Sequence, residues 1–277
     1  MGNELKFESP SFFKRLKGML GVDFYRLFHT PLFYIFLAIA AFIPALITGT
    51  TGMVDPQTGE KTAALYTNVW QAIAAYTPLY AVSDMGEYAN MNMVFIFGGI
   101  MVSIFIGHDY RSGYVKQLFT THAKKQDYMM SKSITCAFAM ACMCVTYIIG
   151  AVVAGLLVGM PFDINVSSLV IAIVSKMVMS LGWASLYTFL NVIFRKYFGI
   201  SIVSSFLFGT GLPIIAVGMI VGNSTSSFLN IFLYGSSVYA CLSSTPVTLV
   251  VCLVVSVAWA VIYNVIGTKL LSKSDVY

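Results

Sequence analysis

Ionisable residues are scarce in this chain, and those able to do chemistry crowd into one stretch. Residues 108–133, HDYRSGYVKQLFTTHAKKQDYMMSKS, hold Arg111, Lys116, Lys124, Lys125 and Lys132 against only Asp109 and Asp127. His108 and His122 lie there too, and the third histidine is His29. That charge suits steering of a partner protein more than catalysis. No P-loop, H-E-x-x-H or G-x-S-x-G pattern occurs, so three common routes to catalysis are missing, and no catalytic residue is assigned. The five cysteines form no C-x-x-C pair with histidine partners, which leaves a zinc site without support; they read as small buried hydrophobes. No metal ligands are assigned.

Two polar residues stand out inside apolar runs. Lys176 is the one ionisable residue well within such a run. A charge at a transmembrane helix centre costs about 2.5–3.5 kcal/mol on insertion scales, so its ammonium must reach protein or water. It can snorkel, bond another helix, or line a substrate path. Asn191 is a second candidate for interhelical bonding. Both are substrate-path candidates. No paired carboxylates fall within the apolar runs, so a proton relay of Asp and Glu is not available.

The elements that position these residues follow from composition. The 277 residues are 58% hydrophobic and 10% charged, with a mean hydropathy of +0.83. Soluble domains carry about 25% charged residues, so the chain is an all-α polytopic membrane protein. Its net charge of +5 reads as topology rather than nucleic-acid affinity. Six transmembrane helices are expected, at about 31–54, 91–107, 134–158, 169–194, 200–221 and 247–267. Lys and Arg bias short loops to the cytoplasmic side, which places 108–133 inside. Inner segments then hold fourteen basic and six acidic residues, and outer loops one basic and five acidic. Both termini are expected in the cytoplasm, in the cell (plasma) membrane.

Three further features complete the layout. Residues 11–29 carry apolar positions at helical spacing between Lys14, Arg15, Lys17 and Arg26, which predicts an amphipathic helix in the inner headgroup layer. Residues 62–82 are apolar, but a span there would throw the basic stretch outside. An amphipathic helix or helix pair resting on the outer leaflet, broken near Pro78, fits better. Residues 222–246, rich in Ser, Thr and Gly, are expected as a re-entrant or outer-surface hairpin between spans five and six. The whole chain, 1–277, reads as one membrane domain: a leader over 1–30, a bundle over 31–267 and a tail over 268–277.

The basic stretch also carries a family resemblance. Asp109-x-x-x-Gly113-Tyr114, then Leu118, then Lys124-Lys125-Gln126-Asp127-Tyr128 and Lys132, resembles the loop after the second span in ABC-2 type transporter permeases. The leader with Phe24-Tyr25-Arg26-Leu27 and the closing Leu270-Leu271-Ser272-Lys273 look like the two ends of that family. Asp109 stands where Glu is commoner, Tyr114 where Thr or Ser is common, and Lys125 where Arg is frequent.

The resemblance implies the transmembrane subunit of an ATP-binding cassette exporter. Its cytoplasmic ATPase partner would bind ATP and Mg, and this chain no cofactor. A second permease, identical or paralogous, would pair with it in the lipid bilayer. A coupling helix between spans two and three would meet the ATPase through Asp109, Arg111, Gly113, Tyr114, Lys116, Leu118, Lys124, Lys125 and Tyr128. Uncharged spans favour an amphipathic or hydrophobic cargo such as a peptide or lipid-like molecule. The alternatives are an ATP-independent carrier or channel, and a non-transporting membrane anchor or assembly protein.

Overall fold

The computed structural model describes residues 11–50, 69–70, 91–120, 123–162, 166–221, 230–242 and 245–273. Among them all regular structure is helical.

The leader forms α1, Phe12–His29, and α2 follows at Pro31–Thr50. The break between them is set by Pro31. Its ring pushes the preceding residue out of helical geometry, and Thr30 is extended (φ −98°, ψ 124°). Thr30 closes α1 by donating its Oγ1 to the Arg26 carbonyl at 2.6 Å. The chain bends by 65° here.

Three long apolar helices come next around one short one: α3 (Met93–Arg111), α4 (Tyr114–Thr120), α5 (Lys125–Val158) and α6 (Val166–Ile193). The expected polar loop is therefore much shorter than 108–133. Residues 108–111 continue α3, and 125–133 begin α5. Helix can run through these charged residues because the buried Asp109, Asp127 and Lys132 find oppositely charged partners on other helices, which local hydropathy does not register.

The C-terminal third contains α7 (Phe198–Gly209), α8 (Leu212–Val221), α9 (Leu233–Leu242) and α10 (Pro246–Lys273). The expected fifth span, 200–221, is not one helix. It breaks at Thr210–Gly211, where Gly211 has φ +72°. A side chain there would be strained, and its Cβ would lie 2.3 Å from the Tyr234 ring. Twelve helical residues rise about 18 Å, well short of a hydrocarbon core of about 30 Å, so α7 alone does not cross. Four helices (α3, α5, α6 and α10) are long and apolar enough to span a bilayer, or five segments if the bent α1–α2 pair counts as one. The second half of the expected hairpin is α9, packed against α6 and α10. Its first half, 222–229, lies outside the described residues. So does the expected surface helix over 62–82, except Val69 and Trp70, which are helical.

Lipid is as apolar as leucine, so transmembrane helices associate through close backbone approach and interhelical hydrogen bonds. Both devices are present. A Cβ on Gly150 of α5 would sit 2.0 Å from the Ala41 carbonyl oxygen of α2. Between α6 and α10, the Gly182 N–H donates to Ser256 Oγ at 2.9 Å, and that hydroxyl donates to the Val178 carbonyl at 2.7 Å. Helix α3 is the most enclosed of the four long helices and α10 the least; Val250, Val254, Val257, Val261 and Val265 of α10 face outward.

Candidate functional site

The polar residues collect at the end of the bundle where α3 stops and α5 starts. The ends of α1 and α10 are there too. Lys125 Nζ donates to the Leu271 carbonyl in the last turn of α10 at 2.7 Å.

The centre of this end is a buried set of charges from three helices. Lys132 on α5 places its ammonium 2.6 Å from Asp23 Oδ1 of α1 and 2.6 Å from Asp109 Oδ2 of α3. All three side chains are 0% exposed. Arg26 of α1 binds the other oxygen of Asp109, and Ser131 donates to Asp23 Oδ2 at 2.6 Å. Two carboxylates meet two cations, so the set is neutral. Next to it Arg15 Nε donates to Asp127 Oδ2 at 2.8 Å. Aromatic rings wall the cluster: the Arg26 guanidinium lies 4.1 Å from the Tyr114 ring centre, and Lys132 Nζ 4.8 Å from that of Phe105. Charges withdrawn from water persist only when paired and hydrogen-bonded in this way.

Helix α4 lies across the same end. It starts from Gly113, whose φ of +72° suits glycine, after α3 closes with the Ser112 and Gly113 N–H groups bonded to the His108 and Tyr110 carbonyls. Val115 of α4 is buried in a small core with Tyr128 and Met129 of α5, Val192 of α6 and Leu271 of α10. Met19 of α1, Tyr110, Leu118 and Phe119 pack against that core. Lys116, Gln117 and Thr120 of α4, and Lys124 after it, are exposed.

The nine residues expected to face an ATPase therefore divide. Asp109 and Tyr128 are fully buried and hold helices together. Tyr114 and Leu118 are half-buried under α1 and α5, and Lys125 ties α5 to α10. Gly113 forms the turn. Arg111 stands off α4, with its guanidinium over the Phe198 ring, 5.2 Å from the ring centre. Lys116 projects from the α4 surface, and Lys124, just after α4, is exposed as well. Asp23 and its partnership with Lys132 were missed by sequence reasoning. Asp23 is the one acid in α1, on a stripe with Leu16 and Leu27 that the structure buries. A carboxylate on a helix's apolar stripe is the signal that could have exposed it. The opposite side of α1 leaves Phe13, Val22, Tyr25 and Phe28 exposed.

Lys176 and Asn191 lie deeper. Lys176, 1% exposed, binds Asn92 at the start of α3 and donates to the Ser237 carbonyl of α9 at 2.7 Å. Ser237 Oγ also accepts from Trp183 Nε1 at 2.9 Å. Asn191 donates to Ser103 Oγ at 3.1 Å and accepts from Ser201 Oγ, joining α6 to α3 and α7. Ser103 donates to Ser205 Oγ at 2.7 Å. Both residues make interhelical bonds. Among the described residues, no group of three or more His, Cys, Asp or Glu is arranged to hold a metal ion.

Comparison with known proteins follows the same direction. A family model described as ABC-2 family transporter protein matches residues 20–211, from mid-α1 to the break after α7. None of the curated proteins matches the chain.

Proposed function

Because the chain belongs to the ABC-2 transporter family, we propose that it is the membrane subunit of an ATP-binding cassette exporter and that its partner ATPase seats on α4. The family places ATP hydrolysis on a partner subunit, so ATP and Mg belong to that protein. The observation that carries the reading is the seating of α4. Its inward side shares one small core with α1, α5, α6 and α10, while Lys116, Gln117 and Thr120 face out.

A short helix built this way works as a lever. Its outer side fits a groove on a folded partner, with Lys116 and Lys124 supplying steering charge. Closure of two ATPase subunits on ATP displaces α4. Val115 and Leu118 pass that displacement to α1, α5, α6 and α10, and Gly113 passes it to α3. The basic end then faces the cytoplasm, in keeping with the excess of Lys and Arg there. Helix α1 lies against the inner leaflet with Phe13, Val22, Tyr25 and Phe28 outward. A second permease copy or paralogue completes the path, and an amphipathic or hydrophobic cargo, a peptide or lipid-like molecule, moves outward.

The test is co-purification with a separately encoded ATPase subunit, then charge reversal at Lys116 and Lys124 together. The expected result is a permease that folds normally, releases the ATPase at lower salt, and no longer couples hydrolysis to transport. Normal transport by the double variant would refute the seat on α4. Flux in liposomes holding this chain alone would favour an ATP-independent carrier.

A further inference from the structure

We propose that the groove between α3 and the start of α7 holds one anionic phospholipid, its phosphate on Arg111 and its acyl chain along Ile104 and Phe198. The groove has a volume of about 290 Å³ and is lined by Ile104, His108, Arg111, Ser112 and Phe198. Residues 104, 108 and 111–112 fall on successive turns of one helix face. The lining therefore changes from apolar to polar towards the basic end, the gradient of a lipid from chain to headgroup.

Arg111 is held ready for a phosphate. The Phe198 ring packs onto Gly107, where a Cβ would lie 2.4 Å from it. The Arg111 guanidinium lies over the same ring, 5.2 Å from its centre, in cation–π contact. A guanidinium has five N–H donors in a planar fork, and that fork matches a phosphate bidentately. Helix α7 begins at this groove, and Tyr197 makes no side-chain cap to it. Its first-turn N–H groups point towards the basic end and add partial positive charge.

The local charge balance favours an anion. The described carboxylates are Asp23, Asp109 and Asp127, all buried and all paired with Arg15, Arg26 or Lys132. Arg111 makes no salt bridge among the described residues, and Arg195 and Lys196 sit in the turn just before Phe198. Basic pockets between transmembrane helices at headgroup depth take anionic lipids. The lipid assignment stands whether or not the ATPase seats on α4.

The experiment is native mass spectrometry of the full chain released from bilayers of phosphatidylcholine and phosphatidylglycerol. Wild type is expected to retain phosphatidylglycerol over phosphatidylcholine. Arg111→Gln should lower that retention about fivefold, the weight of one basic residue near an anionic surface. Ile104→Trp, which fills the apolar half and leaves the charges alone, should lower it as well. Lys17→Gln, an exposed cation on α1, should not. A photoreactive phosphatidylglycerol should label wild type within residues 104–112, a result that needs no variant to fold. Equal retention of the two lipids would overturn the proposal, as would an equal loss in Lys17→Gln, which would mean diffuse charge. So would displacement of the lipid by glycerol phosphate equally in wild type and Ile104→Trp, which would mean a soluble anion site.

Discussion

Lys132→Met removes one of the two cations that neutralise Asp23 and Asp109. Asp109 keeps Arg26, but Asp23 keeps only the Ser131 hydroxyl at 2.6 Å among the described residues. A neutral set becomes a buried net charge of −1 at a position with 0% exposure. Stranding one partner of a buried pair costs about 3–5 kcal/mol, and Asp23 has no water to turn to. Adding Asp23→Asn restores neutrality, since an amide can still accept from Ser131, and the remaining cost falls to about 1–2 kcal/mol. The double variant should thus be about 2 kcal/mol more stable than Lys132→Met alone, and the two single costs should not add. Unfolding of the purified protein in one fixed detergent, followed by tryptophan fluorescence, measures all four species. Wild-type stability in Lys132→Met would refute the ionic lock. So would simple additivity in the double variant, because it would show that Asp23 and Lys132 do not act on each other.

Three other outcomes are expected. Gly113→Pro cannot adopt a φ of +72°, since proline holds φ near −65°; α4 should lose its seat, and stimulation of ATP hydrolysis by cargo should disappear in reconstituted membranes. Asn191→Leu removes the bonds to Ser103 and Ser201; at about 0.6 kcal/mol for an average interhelical bond, unfolding should show a loss of about 1–2 kcal/mol. Gln117→Cys, exposed on α4, should resist a membrane-impermeant thiol reagent in intact cells and react after permeabilisation; strong labelling without permeabilisation would reverse the orientation of the chain.

Much of the architecture is local and was legible in the residues. Low charge and long apolar runs mark membrane helices, and α3, α5, α6 and α10 lie where those runs are. The helical spacing of 11–29 predicts α1, and Pro31 marks the bend after it, because proline acts on its immediate neighbour. The resemblance carried by Asp109, Gly113, Tyr114 and Lys124 agrees with the family match over 20–211. Placing a short helix after the second span was also possible, since Gly113 and the apolar Val115 and Leu118 are near neighbours.

The functions of the individual charges were not legible. Lys132 and Asp23 are 109 residues apart, and Arg26 and Asp109 are 83 apart. A window that sums hydropathy counts each as a polar residue and ends the span early. Folding makes them interior, because each burial cost is met by a partner on another helix. The same holds for Tyr128, which is expected from sequence to face an ATPase and is core in three dimensions, and for the break at Gly211, where the Tyr234 ring occupies the space a side chain would need. Composition and proline placement determined the class, the long helices and the basic end, since they act over a few residues. Which charges lock helices together and which stay at the surface was decided by tertiary packing, because a buried charge has a tolerable energy only in the presence of its counterion.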